Sequence, residues 1–504
     1  MPLPRTLLLL AFVAAGTGAL TAQQSAPLAS YVAARAKVDR AITALGGDSV
    51  LAALVIGTRF HGVQVQRHQS HRPAPPWERT PITGEVTFDF ARRRIGFEQR
   101  TEFPGGFRSH TGFVNDGKDA WLMNFVRGTR SPASAQARAF NGAWNIIRRS
   151  PHWLVLQARE RALTLRDAGS STIGGRPHDV VSFATADGRL LWLHLDRGTG
   201  LPSAFAVLNH DPFLGDVEDR IVFADWRRVG TTMAPGTRRI TRGGELMEEV
   251  QEESTVNAPV PDSLFAVRTT LRVDTAVVTP STSELRPLAP GVHLLVAVQG
   301  QNALVVEFAD HLAVIEPYGD DGASRTAMST IAKALPDKPI RYIVATHHHD
   351  DHAGGVRAYL AAGATLVTTD ANREHFLRFA RGHGSLPPDA SEVRGAPRIE
   401  TFTGRKTLSD GTRRLELIDI GPNPHTQEML VAWLPTEGIL FQGDLLNAPW
   451  DGSPFPGNET TAYFSEWLDK SGLSPQTIAA VHGPPQTVEQ LREAVARYRE
   501  SASR

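Results

Sequence analysis

The 504-residue chain contains no cysteine. Disulfides, thiolate metal ligands and a lipidated N-terminal cysteine are all excluded, so any metal must be held by nitrogen and oxygen donors. An excess of charge of either sign is missing too, with Lys and Arg totalling 53 and Asp and Glu 53. Bulk attraction to nucleic acid or to an anionic membrane surface is therefore no property of this composition, and a small-molecule substrate is the expected partner. Long apolar runs are scarce: the one near the start, residues 7–15, is shorter than the ~20 residues of a membrane span, and no transmembrane span is expected. No Gly-x-Ser-x-Gly elbow occurs, which disfavours a serine hydrolase.

What is present begins with Arg5, the apolar run and small residues ending in Leu20-Thr21-Ala22, the layout of a cleavable secretory signal cut after Ala22. The mature protein is accordingly expected to be exported, periplasmic or secreted. The length exceeds what one hydrophobic core usually supports, so two domains are expected. A helix is expected over residues 33–45, ending at Gly46-Gly47. Short segments rich in Val, Phe, Trp and Leu follow at 85–90, 119–126, 179–184, 190–195 and 220–224, separated by turn residues, as in an antiparallel sheet. Residues 134–147 read as a helix across that sheet. Residues 257–290, with Pro259, Pro261, Pro280, Pro287 and Pro290, read as an extended linker, with a domain boundary near Thr279.

Beyond the boundary, strands at 293–298, 303–308 and 312–316 precede alternating helix (324–335), strand (341–345), helix (355–362) and strand (365–368), and the amphipathic stretch 487–499 closes the chain. The fold class is α+β. Strand 341–345 runs into Thr346-His347-His348-His349-Asp350-Asp351-His352-Ala353-Gly354-Gly355. Imidazole nitrogen and carboxylate oxygen suit zinc, and a loop leaving a strand can turn alternate side chains to one ion and the others to a second. Three further candidates sit past strand ends: His425 after 414–420, Asp444 after 438–441 and His482 after 477–481.

These motifs, in this order, resemble the metallo-β-lactamase superfamily over roughly residues 285–504. The resemblance implies a four-layer αβ/βα sandwich with His347, His349 and His425 on a first zinc, Asp351, His352 and His482 on a second, and Asp444 bridging. It further implies a metal-bound hydroxide as nucleophile, with Asp351 and Asp444 orienting it as catalytic groups while serving as ligands. His349, where the oxygen-reducing di-iron branch has glutamate, favours zinc, and a bridging Asp444 resembles glyoxalase II and related esterases or lactonases more than cysteine-ligated β-lactamases. Val314-Ile315-Glu316-Pro317 departs from the superfamily's usual aspartate followed by a small residue, which touches the support behind the ligands more than metal binding itself.

His348 and Asp350 occupy variable positions of the motif and are read as non-ligands, Asp350 being able to hydrogen-bond a ligand ring. His293, His311 and His375 are read as structural. Substrate choice is expected in loops 381–397 and 447–459, with Trp450 and Phe455 as an apolar wall. The N-terminal region, with Ala-Leu-Gly-Gly after its first helix and Val256-Asn257-Ala258-Pro259 near its end, resembles periplasmic lipoprotein-carrier half-barrels. The expected activity is zinc-dependent cleavage of an ester, thioester, lactone or amide-type bond. The alternatives are a mononuclear iron dioxygenase of the same superfamily, and a non-catalytic apolar-ligand-binding protein with a vestigial metal domain.

Overall fold

The computed structural model describes residues 26–138, 143–274, 283–298, 300–382 and 392–503. The expected signal, residues 1–22, and the boundary near Thr279 lie outside them. The first half is a β-rich domain built on a 14-stranded sheet. Its pairings are antiparallel except at one edge, where Arg272–Val273 runs parallel to Thr129–Pro132. One face is covered by helix Ala26–Ala44, which stops where Gly46 and Gly47 take φ of 115° and 92°, conformations that glycine adopts without a Cβ penalty. Helix Pro151–Glu160 lies on the same face, with Ser150 as its N-cap and Pro151 in the first turn. Val38, Ile42, Trp153 and Leu154 from these helices and Phe88, Phe113, Phe183, Leu193, Phe205 and Phe223 from the strands form one buried core.

Two expectations for this half change. The described residues of 134–147 include the short helices Ala135–Arg138 and Trp144–Ile147, and Ala143 at the N-cap of the latter has a non-helical ψ of 53°. The described parts of the supposed linker are packed: Phe265 is buried with the Arg94 guanidinium over its ring, and Glu284–Ala289 forms an edge strand paired with Val292–Val298. Pro287 is tolerated there because an edge strand has one side whose N–H groups need no ladder partner.

The second half is the expected four-layer sandwich. A seven-stranded sheet runs from Glu284–Ala289 to Ile399–Phe402, antiparallel through its first four strands and parallel through its last three, and a five-stranded sheet runs from Arg405–Ser409 to Thr477–Ala479. Leu294, Val306, Ile315, Leu417, Leu430 and Phe441 pack between the sheets. Helices Asp321–Ala334, Val356–Ala361 and Arg373–Phe379 cover the outer face of the first sheet through Ile331, Tyr359 and Phe376. Glu459–Ser471 and Val488–Ala502 cover the second through Phe464, Leu491 and Val495. Three apolar interfaces between four layers leave one open margin, where strand ends from both sheets meet.

Candidate metal centre

Four strand ends converge on that margin. Residues 345–349 leave Ile340–Val344, His425 lies between Arg414–Asp419 and Leu430–Leu434, Asp444 follows Ile439–Phe441, and His482 follows Thr477–Ala479. Backbone bonds stitch the sheets together there, Leu430 N to Thr346 O at 2.9 Å and Asn302 N to Val481 O at 2.8 Å. Gly354 is required by close approach, because a Cβ on it would overlap the Gly319 carbonyl.

The side chains gather into two groups, His347 with His349 and His425, and Asp351 with His352, Asp444 and His482, and within each group one donor atom per residue lies within 4.8 Å of the others. The rings of His347 and His352 are 4.2 Å apart, so the groups adjoin. Asp444 spans them: its Oδ2 is 3.1 Å from His352 Nε2 and 3.6 Å from His425 Nε2, and its Oδ1 is 3.5 Å from His482 Nε2. The first group is buried, whereas Asp351 and His482 are partly open beside a cavity of about 300 Å³ lined by Gly300, Gln301, Asp320 and Asp350.

Hydrogen-bond partners fix which ring atoms remain free. His349 Nε2 donates to the Ser70 carbonyl at 2.9 Å, which leaves the lone pair on Nδ1. His352 Nδ1 donates to Glu316 Oε2 at 3.1 Å, which leaves it on Nε2. His347 Nε2, His349 Nδ1, His352 Nε2, both nitrogens of His425 and Asp444 Oδ1 are buried without a hydrogen-bond partner in the protein. Such groups are costly to bury unless something accepts their lone pairs, and a cation does. Burial holds His347 and His425 well below the usual imidazole range and takes His349 down to about 3, so these rings stay neutral, the form that binds metal. Burial acts likewise on His352, but Asp444, Asp351 and Glu316 outweigh it and hold that ring well above its ordinary value, so its Nε2 lone pair becomes available when a cation displaces the proton there. The donor set fits one or two divalent cations that favour nitrogen and oxygen ligands.

Residues 296–482 match the model of the metallo-beta-lactamase superfamily. This half of the chain has the metallo-beta-lactamase fold. Solved structures similar to the chain include a metallo-beta-lactamase from Pontibacter korlensis, 22% identical, covering 43% of this chain and 98% of its own with a TM-score of 0.33. Another is the metallo-beta-lactamase FIM-1 from Pseudomonas aeruginosa in a mono-zinc form, 23% identical, covering 44% and 96% with a TM-score of 0.33. A third, from Erythrobacter litoralis, is 22% identical and covers 43% and 96%, again with a TM-score of 0.33.

In this metallo-beta-lactamase fold the residue that departs from the sequence pattern supplies the support thought to be weakened. Glu316 is buried, with Oε2 on His352 and Oε1 accepting from Thr346 N at 3.3 Å. His348 points away from both donor groups. Its Nε2 donates to Ser70 O at 2.9 Å and its Nδ1 lies 2.7 Å from Glu428 Oε1. Burial pushes Glu428 up to about 8 and His348 down to about 3, so the carboxyl donates to a neutral ring. Asp350 meets no ligand ring; its Oδ1 accepts from Gln69 Nε2 and from Asp351 N. His293 bonds Glu307, His311 bonds Asp310, and His375 is packed against Phe213 and Phe376.

Trp450 and Phe455 line a cleft of about 750 Å³ whose opposite wall is the N-terminal domain, with Phe107, Val126 and Arg127. Phe107 also sets its ring against His425, centroids 5.1 Å apart, so it stands between the cleft and the first donor group. Residues 383–391 of the other expected loop lie outside the described residues; Val393 and Arg394 line a separate cavity with Leu360 and Gly363. The contributions of Gln69, Ser70 and Phe107 are absent from the sequence reading, since nothing local to residues 66–78 or 103–108 marks them.

Proposed function

We propose that the protein is an exported, binuclear zinc hydrolase that cleaves an ester, thioester, lactone or amide-type bond of a small molecule. Its organisation in this reading is a signal over residues 1–22, a β-rich domain over 23–278 and a hydrolase domain over 279–504. The observation that carries the reading is the pair of adjoining donor groups with their buried, unshared lone pairs, spanned by the single carboxylate of Asp444. His347, His349 and His425 would hold one ion, Asp351, His352 and His482 the other, and Asp444 both.

Two bound zinc ions supply Lewis acidity and a water whose pKa falls toward about 7. The chain's own groups do the remainder. Asp351 Oδ1 is taken by Gln69, so its Oδ2, 3.4 Å from His482 Nε2, is the oxygen left to orient the attacking water beside Asp444. Phe107, whose ring lies against His425, covers the first donor group on the side of the cleft. Export rests on the pattern of residues 1–22.

The test is elemental mass spectrometry of protein purified without added metal or affinity histidines, with an ester, thioester, lactone and amide panel. Near two zinc ions per chain together with hydrolysis supports the reading. One iron per chain without hydrolysis favours the dioxygenase, and no tightly held metal favours the binding protein.

A further inference from the structure

Four consecutive residues of the N-terminal domain, in the segment between strands Val55–Val65 and Arg79–Asp89, each reach the metal-binding loops. His68 O accepts from Asp350 N at 3.2 Å. The Gln69 side-chain amide lies 2.8 Å from Oδ1 of both Asp350 and Asp351. Ser70 O accepts from His348 and His349. His71 O accepts from Gln427 N at 2.6 Å, and His71 Nε2 donates to Asn423 O at 2.8 Å. The partners of His68, Gln69 and Ser70 lie some 280 positions away in sequence, as with Gln69 and Asp351 at a separation of 282, and His71 and Asn423 are separated by 352.

We propose that Gln69 is a positioning residue for the metal centre: with the Ser70 carbonyl, it supplies from the N-terminal domain the hydrogen bonds that hold Asp351 and His349 in their coordinating orientations. The proposal rests on the reading that the seven residues hold metal. Asp350 and Asp351 present neighbouring carboxylates that would repel, and an amide with two N–H groups can donate one to each. Taking Asp351 Oδ1 leaves Oδ2 directed at the centre, 3.5 Å from His352 Nε2 and 3.4 Å from His482 Nε2. The Ser70 carbonyl can only accept, so it fixes the His349 tautomer that frees Nδ1. The segment is itself held from its own domain, by Asp211 on the His68 ring at 2.9 Å and by the Glu78 carboxylate on the Ser70 hydroxyl. Arg272 and Asp451 cross the same domain interface away from the ligands, and they provide the control for contacts that only join domains.

The experiment uses the full chain as wild type, Gln69→Ala, Gln69→Glu and Arg272→Ala. Each is stripped of metal, titrated with zinc against a chromophoric chelator, and loaded with cobalt for its visible spectrum. Gln69→Ala is expected to bind one of two zinc ions about tenfold more weakly and to shift the cobalt bands, with the metal-free melting temperature unchanged. Gln69→Glu, which adds a third carboxylate at the same length, is expected to be weaker still, and it carries the comparison should Gln69→Ala fail to fold. Arg272→Ala should match wild type in both metal readouts. Wild-type affinity and cobalt spectrum in the Gln69 variants would overturn the proposal, as would a lowered metal-free melting temperature with zinc affinity intact. A wild-type protein that takes up no metal is a different result, visible before any substitution, and it removes the metal-centre reading itself.

Discussion

Glu316 holds His352 from behind, carboxylate oxygen to Nδ1 at 3.1 Å, while its second oxygen takes the Thr346 amide. The pair orients the ring and makes the free Nε2 a better donor. Glu316→Gln keeps the volume and loses the charge. Zinc affinity, read by chelator competition, is expected to fall about 10- to 100-fold.

Removing a donor outright should be more severe. Asp351→Ala and His425→Ala are each expected to lower kcat/KM on the best substrate of the panel by about 10³ or more, close to 4 kcal/mol of transition-state stabilisation. The circular dichroism spectrum should stay near that of wild type, because His425 sits on a loop and Asp351 on the one-turn helix Asp350–Ala353, both at the margin of the sandwich. Full activity in either variant would refute the assignment of these two residues.

Gly105 faces the first donor group from the other domain with φ of 81°, and a Cβ there would stand 2.7 Å from Thr460 Oγ1 and 3.0 Å from His425 Cα. Gly105→Val combines backbone strain with that overlap, and the expected loss of stability is about 1–3 kcal/mol, measured by urea denaturation. Turnover should drop as well, since the displaced atoms belong to the His425 turn.

His152 lies far from the metal loops, fully buried, with Nε2 donating to Met233 O at 2.9 Å. Burial lowers its pKa to about 4. The folded ring therefore stays neutral while the unfolded one protonates near 6.5, so the unfolded state binds more protons between those values. Stability contributed by the neutral ring is whole above pH 6.5 and is lost as pH falls toward 4, by roughly 3 kcal/mol. Melting temperature against pH should show that acid limb in wild type, and His152→Gln should flatten it.

Much of the C-terminal domain was readable because its chemistry is delivered locally. Each ligand stands three to eight residues beyond an apolar strand, and the turn residues that follow are in the same stretch of chain. The N-terminal sheet hid more. Glu245–Val256 has no assignment from sequence; it is a strand in which Glu248, Val250 and Glu252 share the buried face and Arg238 neutralises both acids. Pro151–Glu160 likewise has no assignment from sequence; it is a helix capped by Ser150. Residues 66–78 look like an ordinary proline-rich loop, since a sequence does not state which carbonyl will lie beside a histidine some 280 positions later.

The acceptor that fixes His349 is a main-chain oxygen. No codon change at position 70 other than one that re-routes the chain can delete it, so its inheritance is tied to the length and path of the segment. Point substitution can erode Gln69 one amide at a time, but the tautomer of His349 answers only to insertion, deletion or displacement of the loop as a whole.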